Sequence, residues 1–134
     1  MCPASHYFSR LCYSQRELTV RVRNETRNTV LGEVIGVADS SAARRTGLLK
    51  HRGLERGQGL WILPCQSVHT FFMKFAIDLV YLDRRKRVRK VRHSVPAWRI
   101  SGCLTAHSVL ELPGGTAIAT RTEPGDQLAV EKLP

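Results

Sequence analysis

Residues 17–23, ELTVRVR, alternate apolar and polar, with Leu18, Val20 and Val22 on one face and Thr19, Arg21 and Arg23 on the other. That period of two predicts a half-buried strand. The polar run NETRN then predicts a turn, and the β-rich run 29–37 a strand that returns beside the first as a hairpin. Asp39, Ser40 and Ser41 offer N-cap oxygens before Ala42, Ala43, Arg44 and Arg45, and Gly47 is a natural stop. One short helix is therefore expected near residues 40–47. Gly53, Gly57 and Gly59 predict loop ahead of the apolar run that begins at GLWIL.

Strand signals dominate the rest of the chain. Residues 68–83, VHTFFMKFAIDLVYLD, are apolar on both alternating faces. This predicts either one strand buried on both sides or two strands with a bend near Ala76 and Ile77. Residues 83–86 form the expected turn, and 87–91 should pair back as an edge or bulged strand, because Val88 and Val91 fall on opposite faces. Pro96 and Gly102 bound a loop around Trp98, residues 107–112 read as strand, 113–115 and 124–126 as turns, and 127–133 as the last strand. The expected fold is α+β but mostly β, a compact barrel-like mixed sheet with one short helix. Residues 1–15 lack periodicity and read as a flexible tail, leaving 16–134 as one domain.

Composition changes this picture in one respect. Of 134 residues, 43% are hydrophobic, enough for a core, yet 21 Lys and Arg against 11 Asp and Glu leave a net charge of +10. Seven of those cations, Arg84, Arg85, Lys86, Arg87, Arg89, Lys90 and Arg92, lie in the single run RRKRVRKVR; without it 14 basic and 11 acidic residues remain, or +3. The excess is a local feature. No apolar stretch reaches signal-peptide or membrane-helix length, which predicts a cytoplasmic protein without membrane insertion. Cys2, Cys12, Cys65 and Cys103 form no CxxC pair and suit free thiols.

Several stretches taken in order, RTGLL at 45–49 preceded by Arg44, GQGLWILPC at 57–65, HTFFMKFAIDLVYLD at 69–83, SVLELPGGTA at 108–117 and PGD at 124–126, resemble the DUF192 family. The resemblance spans roughly residues 17–133. It implies a small, prokaryotic, barrel-like β domain with a short helix, and no established reaction. This chain departs from the family's usual pattern at Ala76, where many members have proline, at Lys74, where arginine is common, and at Arg84, Arg85 and Lys86, which replace an Asp-Gly type turn. Three long side chains in place of glycine lead to the expectation of a different turn geometry.

The chemistry these residues offer is limited. His69 with Asp78 or Glu111 has the residue types for acid/base catalysis, and Cys65, His69 and Met73 share strand parity. The alternative is structural: a histidine bonded to a carbonyl, a cysteine packed as a small hydrophobe, and buried carboxylates held by partners such as Arg44, Arg45 or Arg99. Cys65 and His69 together with Cys103 and His107 repeat CxxxH and supply zinc-type ligands, although an i to i+4 pair on a strand spans ~13 Å, too far for one ion. The basic run suits phosphates but contains no aromatic for base stacking, and an edge strand also carries charge to avoid pairing with other chains. The sequence thus reads as a non-catalytic binding or accessory module without a cofactor. Its expected contact site is a groove near His69, Thr70, Met73, Asp78 and Glu111, and its partner an unidentified small molecule or protein. An enzyme centred on His69 and polyanion binding through 84–92 are the alternatives.

Overall fold

A computed structural model describes residues 2–3, 18–39 and 53–133. The helix expected near 40–47 and most of the expected tail, residues 4–15, lie outside the described residues. Ten strands are described, β1 (Cys2–Pro3), β2 (Thr19–Asn24), β3 (Thr29–Ala38), β4 (Gln58–Ile62), β5 (Ser67–His69), β6 (Ile77–Leu82), β7 (Val88–Val95), β8 (Ile100–Gly102), β9 (Ser108–Pro113) and β10 (Leu128–Lys132). The short helix that is described, α1 (Thr116–Ala119), follows the expected turn at 113–115.

Seven strands form one sheet in the order β10-β2-β3-β4-β9-β6-β7. Every neighbouring pair is antiparallel except β3 and β4. The two outer strands meet at their beginnings. Arg87 bridges Gln127, the Val88 amide donates to the Asp126 carbonyl at 2.9 Å, and the Leu128 amide donates to the Lys86 carbonyl at 3.0 Å. These contacts curl the sheet into a half-barrel. Its inner face gathers Val20, Val22, Leu31, Ile35, Val80, Leu82, Val88, Leu110, Leu112 and Leu128 into one core. A second sheet, β1-β5-β8, covers the outer face, where Val68, Cys65 and Met73 pack on Ile62, Leu79, Tyr81 and Val109.

The long apolar segment resolves into the two-strand form, with β5 ending at His69 and β6 starting at Ile77. All six residues of β6 are buried because it is sandwiched between the two cores. Gly59, expected in a loop, lies inside β4. A methyl added there would sit 2.6 Å from the Glu111 carbonyl and 2.8 Å from Ile35 Cδ1, so glycine is what permits β4 to approach β9. Gly59→Ala is expected to cost about 1–2 kcal/mol in urea unfolding; a cost near zero would mean that the strands part without penalty.

Candidate functional site

The candidate acid/base groups face different ways. In β6 and β9, Asp78 pairs with Leu112 and Leu79 pairs with Glu111. Leu112 belongs to the inner core and Leu79 to the outer one, so the two carboxylates point to opposite faces of the sheet. Both are 0% exposed. Asp78 Oδ1 accepts hydrogen bonds from the amides of Ser94 (2.7 Å) and Gly115 (3.2 Å), and Oδ2 accepts from Ala117 (2.7 Å). It therefore caps the first turn of α1 and clamps the end of β7, a structural task that uses both oxygens. His69 is in the covering sheet, opposite Ile100, with its neighbour Val68 turned to the core. Asp78 and Glu111 therefore cannot line one shared groove.

Strand parity likewise fails to unite Cys65, His69 and Met73. The strand stops at His69, so Cys65 and Met73 reach the outer core while His69 packs against Phe71 with the rings tilted, centroids 4.7 Å apart. Its Nδ1 is buried and lacks a hydrogen-bond partner among the described residues, and burial lowers the imidazole pKa below its ordinary value. His69 is accordingly neutral at pH 7.

Thr70, expected as a ligand-binding residue, instead ties two loops together. Its hydroxyl donates to the Pro96 carbonyl (2.7 Å) and accepts from the Arg99 amide (2.8 Å), while its backbone pairs with Arg99 and Trp98. The loops 70–76 and 96–99 are thereby fixed against each other, and each projects an aromatic. Phe72 and Trp98 are 64% and 57% exposed, and their centroids lie 4.7 Å apart in an edge-on arrangement. Trp98 also stacks on Phe71 at 5.5 Å. Phe72 and Trp98 both have φ of 65°, the left-handed region that costs a residue with a β-carbon about 1–2 kcal/mol. Positive φ at a bulky residue leaves no trace in composition, so the sequence placed Trp98 only in a loop.

An open cleft of about 890 Å³ lies on another side of the covering sheet, between Cys65, His107, Gln66, Thr105 and the turn residues Arg84 and Arg85. Cys65 Sγ donates to the Ser67 carbonyl at 3.2 Å, and Cys103 Sγ lies 3.3 Å from Thr105 Oγ1. Cys65 and Cys103 are free thiols. Among the described residues no three His, Cys, Asp or Glu side chains come close enough to share an ion, so Cys65, His69, Cys103 and His107 do not assemble a zinc site.

The basic run forms the 83–87 turn and most of β7, an edge strand of the large sheet. The turn does not abandon the glycine geometry, contrary to the expectation from its sequence. Lys86 itself takes φ of 64°, and Asp83 Oδ1 accepts from the amides of Arg85 (2.9 Å) and Arg87 (3.0 Å) to hold it there. Along β7, Arg89 Nε donates to Thr105 Oγ1 at 3.4 Å and Lys90 Nζ donates to the Gly102 carbonyl at 2.7 Å, its ammonium 5.7 Å from the centroid of the Tyr81 ring. Burial pushes the Tyr81 phenol up to about 12 while its hydroxyl lies 2.9 Å from Ser101 Oγ in β8. None of the seven cations forms an ion pair with an acid among the described residues; the four pairs present use Arg21, Arg23 and Arg27.

Comparison with known proteins matches residues 20–130 to the family model DUF192, described as Uncharacterized ACR. The chain belongs to the DUF192 family. Curated relatives carry the same standing: the UPF0127 protein PH1112 of Pyrococcus horikoshii is 32% identical over 111 residues, covering 78% of this chain and 94% of the relative. A UPF0127 protein of Thermococcus gammatolerans is 30% identical over 112 residues, covering 79% and 72%. Among solved structures, a Sinorhizobium meliloti protein described as a putative transcription regulator superposes with a TM-score of 0.75 at 18% identity, covering 87% of this chain and 95% of that one. A Novosphingobium aromaticivorans protein of unknown function gives 0.70 at 20% identity, covering 84% of each chain. At such identities these two show the fold alone.

Within that fold, two departures from the usual DUF192 pattern, Lys74 and Ala76, are exposed residues of the same loop that carries Phe72. The third is the basic turn. The family model covers the half-barrel and the covering β5 and β8, so both the aromatic loops and the basic edge lie on the family framework. No helix among the described residues is long and apolar enough to cross a membrane.

Proposed function

We propose that this DUF192 protein is a non-catalytic binding module, working in the cytoplasm, whose contact surface is the Phe72–Trp98 pair. One observation carries the reading: two adjacent bulky aromatics stand more than half exposed, both in the left-handed backbone region. Left to packing alone, such side chains turn inward and such backbone relaxes. Here the Thr70 hydrogen bonds hold both loops in the strained form, so local stability is given up to keep a rigid apolar platform in water. Large aromatics with few rotatable bonds are what recognition surfaces use for anchoring, because little side-chain freedom is lost on contact. The placement of Asp78 and Glu111 on opposite faces, with both Asp78 oxygens taken up by backbone amides, supports binding over acid/base chemistry.

Nitrogen-15 NMR of the labelled protein with a fragment set of purines, pyrimidines, indoles and short proline-rich peptides tests the surface. Amide shifts are expected to collect at 70–75 and 96–100. Shifts collecting instead around Cys65 and His107 would move the contact surface to the cleft and overturn the reading.

A further inference from the structure

We propose that the partner of the platform is single-stranded nucleic acid, drawn along the basic edge of the half-barrel and stacked at its end on Trp98 and Phe72. The inference rests on the platform being the contact surface and adds its ligand. Three placements carry it. First, β7 runs from the basic turn toward the 96–99 loop, so the strand that bears Arg89, Lys90 and Arg92 delivers the chain to Trp98. Second, side chains of the large sheet reach β8 in the covering sheet: Lys90 Nζ bonds the Gly102 carbonyl, and Tyr81, opposite Lys90 in β6, reaches Ser101. Exposed Arg92 follows two residues further along β7 in the direction of Trp98, and Arg99 and Ile100, the latter 57% exposed, follow Trp98 in the chain. Third, Arg84 and Arg85 at the opposite end line the open cleft, extending the positive track beyond the strand.

The chemistry of that track is specific. Cations without acidic partners attract a phosphate backbone, and binding releases condensed counterions. Cations alone would suit any polyanion; exposed aromatic faces at the end of the line add stacking that every base satisfies and that sugar sulfates or lipid headgroups do not. The eight residues of β7 extend roughly 26 Å at ~3.3 Å each, a span suited to a short oligonucleotide. A duplex keeps its bases stacked inside and offers the platform nothing, so the single strand is favoured.

Fluorescence anisotropy with labelled dT12 and rU12, a 12-base-pair duplex, and co-sedimentation with vesicles rich in phosphatidylserine distinguish the outcomes, each at 50 and 200 mM KCl. Single strands are expected to bind best, losing about 50-fold in affinity between the two salts if about four phosphates are engaged. Comparison of dT12 with rU12 assigns DNA or RNA. Trp98→Ala and Phe72→Ala, both at exposed side chains, should each weaken binding about tenfold at either salt without changing the salt slope. Arg89→Gln with Arg92→Gln should lower the slope by about 1.4. No binding at 50 mM, or equal binding of duplex or vesicles with Trp98→Ala indistinguishable from wild type, overturns the proposal. If oligonucleotides fail while aromatic fragments still perturb 70–75 and 96–100, only the ligand falls and the contact surface stands.

Discussion

Asp78→Ala is expected to lower the stability of the fold by about 3–5 kcal/mol, seen as a fall of roughly 2 M in the urea midpoint for an m-value of ~2 kcal/mol/M. The carboxylate is fully buried and satisfies three amides on two elements, Ser94 in β7 and Gly115 and Ala117 at the start of α1. Hydrogen bonds to a charged acceptor contribute about 1.5–3 kcal/mol each, and truncation leaves all three donors facing a cavity that their own turn cannot serve. Asp78→Asn keeps one oxygen for Ser94 and Gly115 but sets an NH2 against the Ala117 amide, and should cost about half as much. A loss below 1 kcal/mol for the alanine variant would mean that water satisfies these amides and that α1 needs no cap from β6.

The role of Asp78 was hidden from the sequence for a definite reason. An aspartate between Ile77 and Leu79 in an apolar strand announces that a buried charge needs partners, but those partners are backbone amides 16 to 39 residues away, and an amide has no residue type to recognise. The same blindness affected Thr70, whose hydroxyl is bonded to main-chain groups of Pro96 and Arg99. Side-chain chemistry suggested ligands at both positions; topology turned both into braces. Periodicity served much better. Val20 and Val22 are buried as the alternation in 17–23 requires, and 29–38 returns antiparallel beside them. The break near Ala76 and Ile77 and the bulged edge strand after residue 87 follow from apolar runs too long or too uneven for one strand.

What failed was local grammar at glycines. Gly59 reads as a breaker, yet it lies inside β4 because β9 approaches within contact distance, a non-local cause. Pro113, Gly114 and Gly115 read as a turn, and the helical turn after them needed Asp78 from across the sheet to cap it. The basic turn erred in the other direction: absence of glycine suggested a changed geometry, while Asp83 stabilised a lysine in the left-handed region instead. For the candidate site, the charge was legible and the reach of Lys90 to the covering sheet was not, because that contact arises between two sheets and has no signature in sequence spacing.

Closure of the half-barrel gives the second large effect, at Asp126. This carboxylate is 3% exposed, and its Oδ2 accepts from Asn24 Nδ2 (3.0 Å), Arg27 Nε (3.1 Å) and the Glu123 amide (3.0 Å). It thereby fastens the turn before β10 to the end of β2, next to the bridge that joins Gln127 to Arg87. Asp126→Ala is expected to cost about 2–3 kcal/mol, since Asn24 is fully buried and loses an acceptor it cannot replace with water. The pH dependence has a definite sign. Burial alone would raise the carboxyl pKa, but the hydrogen bonds from Asn24, the Glu123 amide and Arg27 outweigh it and hold the value below the ordinary one. The unfolded chain therefore takes up a proton before the folded one does. The stabilisation is complete above the unfolded value of ~3.9 and drains away as pH falls through it toward the lower folded value. Urea midpoints measured from pH 7 to 3 should thus fall below about pH 4 in the wild type, and the fall should be shallower in Asp126→Ala because that group no longer titrates. Parallel acid profiles for the two proteins would show that the carboxyl titrates alike in the folded and unfolded chain, and that the bonds from Asn24, Arg27 and the Glu123 amide do not favour its ionised form.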